Sequence, residues 1–211
     1  MSKNFPIKIV EGFAERQRAT AVALFWQAFK PKLHPVMKPD ALALQFLTRV
    51  VNPTHALSAI TPDGNLVGIA GFKTEAGAFV GGGIRDLMTV YGSIGGIWRG
   101  ALLSLLERET RTDELLMDGI FVDAGFQGQG IGAALLSAIK DKARSTACSR
   151  VRLDVINTNP RARALYERNG FVAQATTSIG PFRHLFGFEQ ATEMVWTATN
   201  FEITQSRASR T

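Results

Sequence analysis

The sequence is poor in the residues that would staple, anchor or metallate it. It has one cysteine, Cys148, so no intrachain disulfide can form and stability must come from the core. Its three histidines, His34, His55 and His184, are far apart, and no cluster has metal-ligand spacing, so no metal is expected. No apolar run reaches the ~18 residues of a membrane span. The most hydrophobic stretch, residues 76–106, is interrupted by Arg85, Asp86 and Arg99. The start, "MSKNFPIKIV", lacks the apolar core of a signal peptide. These absences point to a cytoplasmic protein with no membrane span. Lysine and arginine are scattered, without a basic helix or an aromatic–basic motif. The formal charge of +6 therefore argues for an anionic ligand or for nothing, and against nucleic acid.

What is present fits an ordinary globular chain: 45% of the 211 residues are apolar and 20% charged. The length implies a single domain, residues 1–200, with 201–211 a flexible polar tail. "FPIKIVEGF" alternates like a strand, over 7–11. "ERQRATAVALFWQAFKPKL" has helical periodicity, and Pro31 and Pro35 should end it. "KPDALALQFLTRVV" reads as a second helix, with Pro39 near its start and Pro53 past its end. Two strands flank the turn Thr61-Pro62-Asp63-Gly64. Residues 74–113 are glycine-rich and apolar and read as a helical insert of one or two helices. A strand, "ELLMDGIFV", follows; then a glycine motif; a helix from about 130 to 147; and a strand, "RVRLDVI". A short helix, "NPRARALYERN", has Asn159 as N-cap, Pro160 at its first position and Gly170 at its end. Two strands, around a loop with Pro181, Arg183 and His184, complete the chain. The order predicts an α/β fold with a mixed, mostly antiparallel sheet flanked by helices around a central parallel βαβ unit.

The motif "FQGQGIGAALL", residues 126–136, alternates three glycines with other residues and opens a helix. It is no nucleotide P-loop, because no Gly-Lys-Ser/Thr follows. Gly128, Gly130 and Ala133 do satisfy the dinucleotide fingerprint, but Asp123 to Gln127 intervene after the strand. Fewer than 85 residues remain, and they end in antiparallel strands rather than further βαβ units. A glycine-rich turn with no ligand is the plain alternative.

Gln127-x-x-Gly130-x-Gly132 matches the Q/R-x-x-G-x-G/A loop of the GNAT superfamily of N-acetyltransferases. "NPRARALYERNGF", Asn159 to Phe171, resembles that family's N-x-x-A-x-x-L-Y-x-x-x-G-F, at the separation the family has. The resemblance is strong over 114–196, topological over 5–73, and does not account for 74–113. It implies a GNAT-type sheet with a splayed strand pair and acetyl-coenzyme A as co-substrate. The pyrophosphate would lie on the backbone of Gln127, Gly128, Gln129, Gly130, Ile131, Gly132 and Ala133, where a helix N-terminus offers free N–H groups. The acetyl-pantetheine arm would bond the backbone at Ile120, Phe121 and Val122, with Asn159 and Arg163 as further contacts. The acetyl group would pass to an amine directly, with no acyl-enzyme. Tyr166 matches the general acid that meets the departing thiolate. With reference pKa values of ~10 for tyrosine and ~8.5 for a thiol, full donation is uphill by about 2 kcal/mol, so a tightening hydrogen bond is the more modest role.

Two carboxylates compete as base. Asp118 interrupts an apolar strand and is the first choice. Asp154 lies twelve residues before Tyr166, a spacing that resembles the ribosomal-protein N-terminal acetyltransferases, whose matching residue is glutamate. Either could also be a strand carboxylate bonded to nearby N–H groups. The acceptor is open among small-molecule amines and protein or peptide amines. Phe182, Arg183 and His184, on family analogy, and the insert at 74–113 would wall it, unless the insert forms a homodimer contact. The rival function is a module that binds acetyl-coenzyme A, or another protein, without turnover.

Overall fold

The computed structural model describes residues 6–198; the tail expected at 201–211 lies outside them. The described strands form one mixed sheet: β1 (Lys8–Glu11), β2 (Ala56–Ile60), β3 (Leu66–Thr74), β4 (Gly77–Ala78), β5 (Glu114–Val122), β6 (Arg150–Ile156), β7 (Val172–Ser178) and β8 (Gln190–Thr197). Their order is β1-β2-β3-β5-β6-β8-β7, with β4 on β3. Every pairing is antiparallel except β5–β6, which the intervening helix makes parallel. The helices are α1 (Arg18–Met37), α2 (Asp40–Val50), α3 (Ile84–Ser104), α4 (Ile131–Ser145), α5 (Pro160–Arg168) and α6 (Arg183–Phe186).

Two cores sit on opposite faces of the sheet. Leu115, Met117, Val151, Leu153 and Met194 face α4 and α5, packing on Leu135, Leu136, Ile139 and Tyr166. Ile69, Phe79 and Phe121 face α1, α2 and α3. Alternation along β5 is broken once. Gly71 pairs with Gly119 but Phe72 with Met117, so Asp118 is an extra residue, a β-bulge. The bulge reverses parity: odd residues before it and even residues after it, Ile120 and Val122, face the α4 side. Asp118 and Gly119 are thereby both turned toward α1.

The first helix differs from expectation. α1 runs through Pro31 and Pro35 to Met37. Each proline lacks an N–H and should break the turn, at a cost of ~3 kcal/mol. Tertiary contacts outweigh that here. Val36 and Met37, beyond both prolines, are fully buried, the Lys38 N–H donates to the His34 carbonyl at 3.0 Å, and the Tyr91 hydroxyl donates to the Met37 carbonyl at 2.6 Å. The 74–113 region holds β4, which periodicity misses because it is two residues long, and α3, kinked where Gly92 has φ of 74°. The loop with Pro181 contains a short 3-10 turn and α6. Among the described residues no helix is long and apolar enough to cross a membrane.

Candidate active site

β5 and β6 are paired only over Glu114–Leu116 and Arg150–Arg152. Beyond that base they diverge: 117–122 stay on β3 and 153–156 on β8. A wedge opens between them, with the edge of Ile120, Phe121 and Val122 along one side. No strand covers that edge, and apart from the Val122 carbonyl, which accepts from Gln127 Nε2 at 3.0 Å, an extended polar ligand could pair with the backbone groups that face the wedge. Both helices that follow the diverging strands, α4 and α5, start at the wide end.

There the glycine loop enters α4. Gly128 and Gly130 have φ of 79° and 81°, a region closed to most side chains. A Cβ at either position would meet nothing within 4 Å, so the loop is open outward. At Gly132 the constraint is packing instead, since a Cβ there would lie 3.1 Å from the Leu165 side chain of α5, tight but open to a small shift of that side chain. Among the described residues, none accepts a hydrogen bond from the N–H groups of Gly128, Gln129, Gly130, Ile131, Gly132 or Ala133. Unbonded N–H groups at the positive end of a 15-residue helix could receive an anion. The Gln127 side chain is already used: its Nε2 donates to the Val122 carbonyl at 3.0 Å and its Oε1 accepts from Arg161 at 3.2 Å. Gln129 donates to the Gly125 carbonyl at 3.3 Å.

That contact brings in Arg161, which sequence reading missed. Arg163, singled out instead, pairs with Glu167 at 2.9 Å on the exposed side of α5. On a helix beginning at Pro160 the first turn faces the loop, and only the rotation of α5 decides which arginine does. Asn159 caps α5, its Oδ1 accepting from the Ala162 N–H at 3.1 Å; its Nδ2 has no partner among the described residues.

Tyr166 is 7% exposed and packs on Phe171, ring centroids 5.9 Å apart. Among the described residues nothing hydrogen-bonds its hydroxyl, and burial pushes its pKa up to about 12. The ring is buried while the hydroxyl is left free to donate to a ligand.

On the other face, the bulge presents Asp118. Burial raises its carboxyl to about 6, against the smaller opposing pulls of Lys73 and of a hydrogen bond from the Phe79 backbone N–H. No cation among the described residues lies within ion-pairing distance of it. Asp154 differs: Arg108 donates to its Oδ2 at 2.8 Å. The segment 105–113 lies over this face, clamped by that pair, by Arg111 on Glu193 at 3.2 Å, and by Arg152, whose guanidinium bonds the Glu109 carbonyl as well as Glu114 at 2.7 Å. Phe182, Arg183 and His184 lie in the exposed turns before β8. His55 is a structural histidine, its Nε2 3.2 Å from the Thr74 hydroxyl. Among the described residues no group of three His, Cys, Asp or Glu is placed to hold a metal. A cavity of about 880 Å³ lies elsewhere, an open groove beside β1 lined by Phe13, Pro53 and Pro62.

Comparison with known proteins agrees with this geometry. The family model described as the acetyltransferase (GNAT) family matches residues 20–171. A mycothiol acetyltransferase of Beutenbergia cavernae is 43% identical over 79 residues, 36% of this chain and 26% of that protein. A thialysine N-epsilon-acetyltransferase of Bos taurus is 35% identical over 75 residues, 36% of this chain and 42% of that protein. The chain thus spans well under half the length of these relatives. In structure it is similar to a GCN5-related N-acetyltransferase from Kribbella flavida, with a TM-score of 0.61 at 14% identity over 91% of this chain and 98% of that one, a likeness of fold.

Proposed function

The chain belongs to the GNAT acetyltransferase family, and from that premise we propose that it moves an acetyl group from acetyl-coenzyme A directly to an amine. One observation carries the reading: the loop at the start of α4, with its unbonded N–H groups, stands at the open end of the divergence of β5 and β6, with Asp118 on β5 and Tyr166 on the helix that follows β6. The thioester supplies the activated acetyl group, which the amine nitrogen takes as the C–S bond breaks.

The chain's own residues hold, orient and move protons. The N–H groups of Gly128 to Ala133 receive the pyrophosphate, with Arg161 beside them adding charge. The free edge at Ile120 to Val122 and the Asn159 amide hold the pantetheine arm. The Tyr166 hydroxyl, lacking any other acceptor, donates to the sulfur as negative charge grows there. Its raised pKa makes it a hydrogen-bond donor and a poor source of a whole proton. Asp118 takes the proton from the attacking ammonium. A base near pKa 6 is ionised at neutral pH and still basic enough to act, directly or through one water. Asp154, held by Arg108, is the weaker candidate. The segment 105–113 forms one wall of the acceptor side, and a cytoplasmic setting accords with the single cysteine.

The test is coenzyme A release from acetyl-coenzyme A with a panel of amines. Release above background, reduced in Tyr166→Phe and Asp118→Asn, is the expected result. Tight binding of acetyl-coenzyme A with no release to any amine would point to the non-catalytic binding module.

A further inference from the structure

The face of the sheet that carries Asp118 is rich in charge, and nearly all of it is paired. Lys73 has Glu107 at 3.4 Å, Arg108 has Asp154 at 2.8 Å, Arg111 has Glu193 at 3.2 Å and Arg152 has Glu114 at 2.7 Å. Two groups stand outside this pairing among the described residues. One is the Asp118 carboxylate. The other is the Lys32 ammonium on α1, which has no carboxylate within 4.0 Å. It is held instead between two rings, 5.8 Å from the centroid of Phe29 and 5.3 Å from that of Phe188.

The placement of these two groups is informative. Phe29, one turn before Lys32, packs on β5: its ring centroid is 5.6 Å from that of Phe121, and a Cβ on Gly119 would meet it at 3.3 Å. Lys32 itself feels Asp154 of β6 and Arg108. The 29–32 turn of α1 therefore crosses the divergence of β5 and β6 on the acceptor side. Asp118 is the neighbour of Gly119, which packs on the Phe29 ring, and Lys32 lies against the same ring; neither has a salt-bridge partner among the described residues.

Resting on the acetyl-transfer reading, we propose that the acceptor is an amine that also carries a carboxylate, its ammonium directed to Asp118, its carboxylate seated on Lys32 and its apolar body over Phe29. A single ammonium matches a singly charged carboxylate. Arg108 is already neutralised, so the site lacks the second free cation that a phosphate dianion would need. Lys32 is also held at about 8, below the usual lysine value, chiefly by burial and then by Arg108, with Asp154 opposing. A desolvated ammonium with no counter-ion is unfavourable, and a bound carboxylate relieves it. The same arrangement disfavours polyamines, whose second cation would meet Lys32.

Matched acceptors test this. The kcat/KM for coenzyme A release is measured with L-phenylalanine against its carboxamide, L-methionine against its carboxamide, L-lysine against its carboxamide, and spermidine. The proteins are the wild type, Lys32→Met and Lys32→Arg, with acetyl-coenzyme A binding to each followed by calorimetry. The free acid should be preferred at least about tenfold over its amide in the wild type. That preference should persist in Lys32→Arg and fall to about one in Lys32→Met. Preference for the amides or spermidine, a preference that survives Lys32→Met, or no turnover of any acid while acetyl-coenzyme A binds, each overturns the proposal. Failure of the wild type to bind acetyl-coenzyme A would instead remove the acetyl-transfer reading on which it rests.

Discussion

Burial raises the Asp118 carboxyl from 3.8 to about 6, and the shift has two consequences that pull apart. Because the folded value lies above the unfolded one, the native state gains from the bound proton below about pH 4 and loses that gain as pH rises through about 6. At neutral pH, well above both values, the ionised group costs the fold about 3 kcal/mol. Asp118→Asn removes the charge and keeps an oxygen for the Phe79 N–H. It should raise the Tm at pH 7.5 by about 6–12 °C in scanning calorimetry while lowering kcat/KM by about 10²–10³-fold. It should also abolish the acidic limb of the rate profile near pH 6. Asp154→Asn should leave that limb in place; its loss there would transfer the role of base to Asp154. Tyr166 makes the complementary case. Its hydroxyl has no protein partner to lose, so Tyr166→Phe should leave the Tm within about 2 °C. It should lower kcat by about 10–10²-fold, with acetyl-coenzyme A affinity little changed. A large fall in Tm would show the hydroxyl to be structural.

At the scale of elements, the bulge in β5 and the charged clamp over it position the site. Arg152 is 3% exposed and pairs Glu114, itself buried, across the only stretch where β5 and β6 meet. Arg152→Met would strand the Glu114 charge and should destabilise the protein by about 3–5 kcal/mol in urea titration. A change under ~1 kcal/mol would contradict the role given to this pair. Asn159→Ala removes the cap of α5 and should cost about 1 kcal/mol. The start of α5 was legible because Asn, Pro and the closing Gly170 act within one short segment. The continuation of α1 through two prolines was not, because burial of Val36 and Met37 and the Tyr91 hydrogen bond come from distant parts of the chain. The bulge is a property of the register between β3 and β5, and "ELLMDGIFV" alone carries no sign of it; the family resemblance implies one at Ile120 to Val122, and the structure has it at Asp118.

For the molecule as a whole, the antiparallel hairpins, the parallel central unit and the glycine loop could be read from periodicity and from two local motifs, but not the order of the strands. Lys32, Arg108 and Arg161 could not, since each acquires its neighbours only when α1, the 105–113 segment and α5 come together around the wedge. The central claim is that this wedge holds acetyl-coenzyme A with its pyrophosphate on the loop at 127–133. Its most direct test is titration calorimetry of acetyl-coenzyme A with the wild type and Gly130→Asp. Aspartate is among the side chains that best tolerate the left-handed backbone of Gly130, and its charge suits the helix dipole, so α4 should survive with some loss of stability, as circular dichroism would show, while the anion is repelled. The account predicts one-to-one binding to the wild type, weakened at least about 100-fold in the folded variant. Equal binding by both proteins would move the pyrophosphate off the loop, and no binding by the wild type would contradict the account outright.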